Sequence, residues 1–286
     1  ATHDKIKTVD AHRTSEPLVV VTENNGVATL RLNHPRRLNG WTMTMKRTLE
    51  TELRKTEDQD GIRALILTGT GDYYSAGVDL GGTLPIGHPR RLRAEIINQN
   101  RALFELFILY PKPILVAVNG HAIGAPVTSA TLCNQVIASD RATFSTPFAK
   151  VGLPAEGCSS VIFPRLIGET AAARKLGSEG WKPTAIEALA IGLIDAVVPH
   201  HQLMEDAQRR EEYWIAAGET RSYPAGASRE ELELINAEES ERVADGFLSA
   251  DFLMNQYRFL RSRKKTLPAL TFLALRLARP VWSLLL

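Results

Sequence analysis

Three short segments hold the residues whose types and spacing could do chemistry. The first is Gly71-Asp72-Tyr73-Tyr74-Ser75-Ala76-Gly77-Val78-Asp79-Leu80. Its small residues let a backbone approach a ligand closely and leave N–H groups to face an oxyanion. The second, Val118 to Pro126 (VNGHAIGAP), reads as a strand end, a small-residue turn and a helix start. The first N–H groups of a helix lack partners and suit a developing negative charge. Pro126 has no N–H, so a donor there must be Ala125 or Gly124. The third, Gly152 to Phe163 (GLPAEGCSSVIF), sets a lone carboxylate, Glu156, among small and apolar residues. A carboxyl in such a setting tends to hold its proton more tightly and can serve as a general base. An acid there also complements a helix dipole, and local sequence alone favours that plainer role. His121 reads as structural.

Several chemistries find no support. A dinucleotide loop needs G-x-G-x-x-G opening a helix, whereas two tyrosines follow Gly69 and Gly71. There is no G-x-S-x-G, no P-loop and no H-E-x-x-H. Cys133 and Cys158 are too few for a disulfide scaffold, and no Cys/His cluster has zinc spacing, so no metal site is expected. The 34 Lys+Arg nearly balance 32 Asp+Glu, which argues against a nucleic-acid backbone as main partner.

The elements that must position these segments follow from hydrophobic patterning. Leu18–Val21 and Val27–Leu32 are β-rich runs flanking Glu-Asn-Asn-Gly, a hairpin signal. Met45, Leu49 and Leu53 recur at helical spacing within Thr42–Thr56. Ala64–Thr68 and Ile114–Val118 are continuous apolar strands, with a helix expected near Arg91–Leu109 between them. Small residues from Gly124 to Ala130 open another helix. Gln135–Ala138 and Ala142–Ser145 look like short strands, Thr170–Leu176 and Thr184–Ala190 like short helices, and Ile194–Val198 like the last strand. From His201 onward the chain reads as helix, broken at 222–226.

That pattern is an α/β chain with a helical tail. Its 286 residues suit one large domain or one with an appended piece. The expected divisions are a loose segment 1–17, a core 18–199, a helical region 200–265 and an apolar extension 266–286. Segment 1–17 lacks an apolar signal core and mixes acids with bases, so neither a secretory nor a transit reading is expected. The extension, TLPALTFLALRLARPVWSLLL, is interrupted by Arg276, Arg279, Pro268 and Pro280, so it reads as a helix that docks on a subunit or core, or lies on a membrane surface. It ends in LLL and not in the peroxisomal address S-K-L.

Together, GDYYSAGVDL, VNGHAIG, ASDRATFSTPF (Ala138–Phe148) and EGCSSVIFP (Glu156–Pro164) resemble the crotonase superfamily of enoyl-CoA hydratases and isomerases, most closely its peroxisomal-type Δ3,Δ2-enoyl-CoA isomerases. NAEES (Asn236–Ser240) adds to the likeness, which runs from about Leu18 to Lys265. It implies a spiral of ββα units with a C-terminal helical region, assembled as homotrimers or pairs of trimers. It also implies an acyl-CoA thioester as substrate, with no separate cofactor, in unsaturated fatty acid β-oxidation and hence a peroxisomal or mitochondrial setting.

By the same resemblance the thioester oxygen sits between the N–H groups of Ala76 and Ala125, and Ser75, Ala76, Gly77, Val78, Asp79 and Leu80 line the CoA site with Gly124. Arg36 and Arg37 are candidates for the nucleotide end, with Arg37 the chosen one; Arg258, Arg261, Arg263, Lys264 and Lys265 are others. Hydratases of the superfamily use two glutamates. Their positions hold Thr128 and Phe148 here, so water addition loses its acid and base. The isomerases use a glutamate matched by Glu156, which would carry a proton from C2 to C4. The other readings are a hydratase with a rearranged site and a non-catalytic acyl-CoA or CoA binding module.

Overall fold

The computed structural model describes residues 16–79, 87–168 and 175–286. Of the expected loose segment 1–17, only Glu16 and Pro17 fall within them. The main sheet has six strands in the order β1-β2-β3-β5-β7-β9: β1 (Val19–Asn24), β2 (Val27–Leu32), β3 (Ala64–Gly69), β5 (Ile114–Val118), β7 (Gln135–Ser139) and β9 (Ala196–Val198). Only β1 and β2 run antiparallel. Asn25 and Gly26 join them with φ of +49° and +80°, the left-handed pair that a two-residue hairpin turn requires. Strands β3 and β5 are buried along their whole length, as parallel strands covered on both faces must be.

A second, smaller parallel sheet stands at the strand ends: β4 (Tyr73–Ser75), β6 (His121–Ile123) and β8 (Thr143–Ser145), in the order β4-β6-β8. The sequence showed β8 but read the other two as loop and turn. Both lie among glycines and small residues, which mask so short a strand. Side chains at the strand ends hold them instead. Asn119 Oδ1 accepts the Gly69 N–H at 2.9 Å, and its Nδ2 donates to Gly71 O at 2.7 Å. A Cβ at Gly120 would lie 2.0 Å from Asp72 O, so only glycine lets β4 and β6 meet there.

Helix α1 (Met43–Asp58) begins at Thr42, whose hydroxyl accepts the Met45 N–H, and buries Met45, Leu49 and Leu53 as the spacing predicts. Helix α2 (Pro89–Ile108) buries Leu103, Phe104, Phe107 and Ile108 at its C-terminal end. Phe107 stacks on Trp41 at 6.0 Å between ring centroids. Short helices follow: α3 (Ala125–Ala130), α4 (Phe148–Val151), α5 (Ser159–Ile167) and α6 (Ala185–Ala190), the last opened by a Thr184/Glu187 capping box. The helix expected over Thr170–Leu176 lies mostly outside the described residues; Lys175–Glu179 form a π-helical turn.

The C-terminal helices are α7 (Leu203–Ala217), α8 (Arg229–Phe247), α9 (Ala250–Ser262) and α10 (Thr266–Trp282). Their arrangement corrects the expected division at Pro199. Leu203 and Ala207 of α7 pack with Val27, Ile66, Leu115, Ala117 and Ile137 on the sheet, so α7 is a layer of the core. Helix α8 packs along α2, while α9 and α10 form a hairpin with its own apolar cluster of Phe252, Leu253, Leu260, Ala269 and Phe272. Among the described residues no helix is long and apolar enough to cross a membrane.

Candidate active site

Two chain segments zip together at one wall of the site. Leu38 adopts φ +54°, unusual for a residue with a Cβ, and aims its carbonyl at the Ala76 N–H, 2.9 Å away. The Ser75 hydroxyl donates to Asn39 O at 2.8 Å and accepts the Gly77 N–H at 3.1 Å. Trp41 N–H then donates to Gly77 O at 2.8 Å. Asn39, fully buried, ties this wall to β4 by donating to Thr70 O and Tyr73 O.

These bonds correct three site assignments. Ala76 cannot be the oxyanion donor, because Leu38 already takes its N–H. Ser75 and Gly77 are buried, with hydroxyl and amide engaged in the wall itself. The first amide along this strand end with no acceptor among the described residues is that of Val78, a half-buried residue. Asp79 is exposed beside it, and Leu80 lies outside the described residues.

The facing wall is the start of α3. Gly124 has φ +69°, and its N–H donates to Ser145 O at 2.7 Å, so Gly124 is no donor to a ligand. Ala125 opens the helix, its φ is not positive, and its N–H has no acceptor among the described residues. Alanine therefore fits this position without backbone strain. The two walls touch at Gly77: with φ +88°, a Cβ there would lie 2.5 Å from Ile123 O and 3.9 Å from Pro126 Cδ. Glycine at 77 is what lets the segment that carries the Val78 amide approach the entry to α3 this closely.

Glu156 enters from the third side. The next residue, Gly157 (φ +63°), leaves no room for a side chain: a Cβ would meet Phe104 Cε1 at 2.5 Å and Thr128 Oγ1 at 2.7 Å. Thr128 lies one turn along α3 from Ala125 and donates to Ala125 O at 3.2 Å. Glu156 thus sits one residue before a glycine packed against the α3 turn that starts at Ala125. It is half-buried, and Asn100 Nδ2 of α2 donates to its Oε2 at 3.1 Å.

Burial pushes the Glu156 carboxyl up to about 7; the negative charge of Glu239 adds to this, while the Asn100 bond and the Lys46 charge pull the other way. Burial in turn lowers Lys46, against the attraction of Glu156. A carboxyl poised near neutrality, with one hydrogen-bond donor, can take a proton and give it back.

The positions where hydratases carry glutamates hold Thr128, fully buried, and Phe148, also buried. Arg36 and Arg37 are exposed on the turn just before Leu38, at the outer edge of the amide wall. Arg258, Arg261, Arg263, Lys264 and Lys265 are exposed on α9 and its C-terminal end, with Arg261 donating to Tyr257 Oη. Sequence reasoning missed Asn100 and Lys46, which lie on α2 and α1 and carry no local motif. It noticed Asn236–Ser240 without a role; Ser240 Oγ lies 3.0 Å from Asn100 Oδ1.

Strand–strand–helix turns that set one carboxyl beside unclaimed main-chain amides are the crotonase fold. The chain belongs to the enoyl-CoA hydratase/isomerase family, whose model matches residues 22–245. It is 34% identical over 270 residues to human enoyl-CoA delta isomerase 2, covering 90% of this chain and 66% of that one. It is 37% identical over 182 residues to a mouse protein named enoyl-CoA delta isomerase 3, peroxisomal, covering 63% of this chain and 57% of that one. It thus spans about two thirds or less of the length of these relatives. The solved enoyl-CoA hydratase/isomerase of Pseudoalteromonas atlantica T6c superposes with a TM-score of 0.69 at 29% identity, over 86% of this chain and 97% of that one.

Proposed function

We propose that the protein is a Δ3,Δ2-enoyl-CoA isomerase, converting a 3-enoyl-CoA to the trans-2-enoyl-CoA. The C2 protons of such a substrate are acidified by the thioester and by the adjoining double bond. Glu156 removes one, and the electrons of that C–H bond form a C1–C2 double bond as the carbonyl π pair moves onto the thioester oxygen, giving a dienolate. The Val78 and Ala125 amides hold that charge. As the dienolate collapses the carbonyl re-forms, the C1–C2 pair shifts to C2–C3, and the C3–C4 pair takes the proton from Glu156 at C4. General base catalysis typically contributes ~10²–10⁴ in rate, and one oxyanion donor ~10²–10³. The chemistry is proton transfer alone and calls for no redox cofactor or metal.

The observation that carries this reading is a half-buried carboxyl of raised proton affinity, one residue before a glycine packed against the α3 turn that starts at Ala125. The relatives named as isomerases support it, and the absence of carboxylates at Thr128 and Phe148 weighs against hydration. Arg37 stands at the nucleotide end of the substrate. The pathway is oxidation of unsaturated fatty acyl groups, in the peroxisome as the name of the mouse relative suggests, or in the mitochondrion. Assembly is as trimers or pairs of trimers, for which Leu267, Leu277, Val281 and Leu284, exposed along α10 and the turn after it, offer an apolar contact face.

Purified protein tests the reading directly. It is expected to convert trans-3-hexenoyl-CoA to the conjugated trans-2 product and to hydrate crotonyl-CoA at least about 100-fold more slowly. Robust hydration without isomerisation overturns it, and CoA binding without turnover of either substrate favours a binding module.

A further inference from the structure

The polar residues of α8 are remote from Glu156 in sequence but stand behind it in space. Asn236, Glu239 and Ser240 occupy about one helical turn, and all three are fully buried. Buried polar groups are costly unless partnered, so their partners indicate what they hold. Asn236 Nδ2 donates to Arg101 O of α2 at 3.0 Å. Ser240 Oγ lies 2.7 Å from Asn236 O and 3.0 Å from Asn100 Oδ1. Asn100 Nδ2 is left facing Glu156. Glu239 accepts the N–H groups of Cys158 and Ser160 at 2.6 and 2.9 Å. It therefore clips the left-handed turn at Cys158 (φ +63°) through which the chain leaves Glu156.

Resting on the isomerase reading above, we propose that Glu239 and Ser240 are positioning residues for Glu156. Ser240 orients the Asn100 amide toward the base, and Glu239 clamps the base's loop while presenting a second negative charge behind it. The charged and polar groups around Glu156 can be named element by element. Lys46 comes from α1, Asn100 from α2, and Glu239 from α8 with Arg242 beside it. Thr128 of α3 and Cys158 at the head of α5 bring no charge. Two influences of opposite sign are thus supplied by adjacent residues of one helix. Glu239 makes the Glu156 proton harder to lose, while the Asn100 bond that Ser240 steadies makes it easier.

The two variants should move the acid limb of kcat/KM in opposite directions. Glu239→Gln removes the second charge, so the limb moves to lower pH by on the order of half a unit or more. Ser240→Ala frees Asn100, so the limb moves to higher pH and kcat falls roughly tenfold, with KM for the enoyl-CoA within about twofold of wild type. The carboxyl ¹³C titration of Glu156, assigned by its loss in Glu156→Gln, reads the same shifts without turnover. An inactive wild type would therefore sink the isomerase reading and leave this test standing. Should Glu239→Gln fail to fold, Ser240→Ala alone still decides through its upward shift. Titrations unmoved in every folded variant, or both moved in the same direction, would overturn the proposal.

Discussion

At the scale of the residue, the site turns on how one carboxyl is kept near neutrality. Burial raises Glu156, and two polar contacts keep it from rising further. A base must be ionised to act, so the sign is fixed. Below about pH 7 the Glu156 carboxyl is expected to be protonated and, on the proposed mechanism, the reaction to fail; above it the base is available. A pH profile of kcat/KM is expected to rise to a plateau with its midpoint near 7. A flat profile down to pH 5 would mean that a group other than Glu156, or no buried carboxyl, removes the proton. Ala76 shows how far residue identity alone can mislead. Its small side chain and its motif made it the expected donor, yet the amide is claimed by a carbonyl on another element. Only the hydrogen-bond pattern shows that the amide left without an acceptor among the described residues is that of Val78.

At the scale of the element, positioning depends on close backbone approaches. The wall Leu38–Trp41 with Ser75–Val78 is held by main-chain bonds, a buried Ser and a buried Asn, each bond worth about 1 kcal/mol net. Gly77 is where this wall meets α3, and it is constrained twice, by φ +88° and by a carbonyl 2.5 Å from where a Cβ would sit. Gly77→Ala is expected to destabilise the fold by about 1–3 kcal/mol, seen as a lower Tm. It should also cut kcat far more than the stability loss explains, because relief of the clash with Ile123 O shifts the neighbouring Val78 amide relative to α3. Wild-type kcat in a folded Gly77→Ala protein would mean that the two amides do not act together. The second sheet belongs to this scale too. Strands β3 and β5 were legible in the sequence because burial on both faces leaves unbroken apolar runs. Strands β4 and β6 were not, because they lie among glycines and small residues that read as loop and turn, and Asn119 does the holding from the turn between β5 and β6.

At the scale of the whole molecule, the order of elements was largely readable, and the ββα progression with a helical end followed from it. The break at Pro199 was not. The amphipathic pattern of α7 shows that it buries a face, but the pattern cannot say that the face lands on the far side of the main sheet. The same limit hid the site's third wall. Asn100 meets Glu156 across 56 residues of sequence, and Glu239 meets Cys158 across 81, so neither contact leaves a local trace. The motif carrying Glu156 was visible, while the means of tuning it was not. Nearly balanced charge, by contrast, could be read from composition alone.

The decisive measurement is single-turnover isomerisation of a trans-3-enoyl-CoA by wild type and by Glu156→Gln, with CoA-ester affinity measured alongside. The variant keeps the size of the side chain and removes the base. Affinity should stay within a few-fold while the rate of forming the conjugated product falls by ~10² or more. A variant that binds equally well and isomerises at close to the wild-type rate would contradict a proton shuttle on this carboxylate.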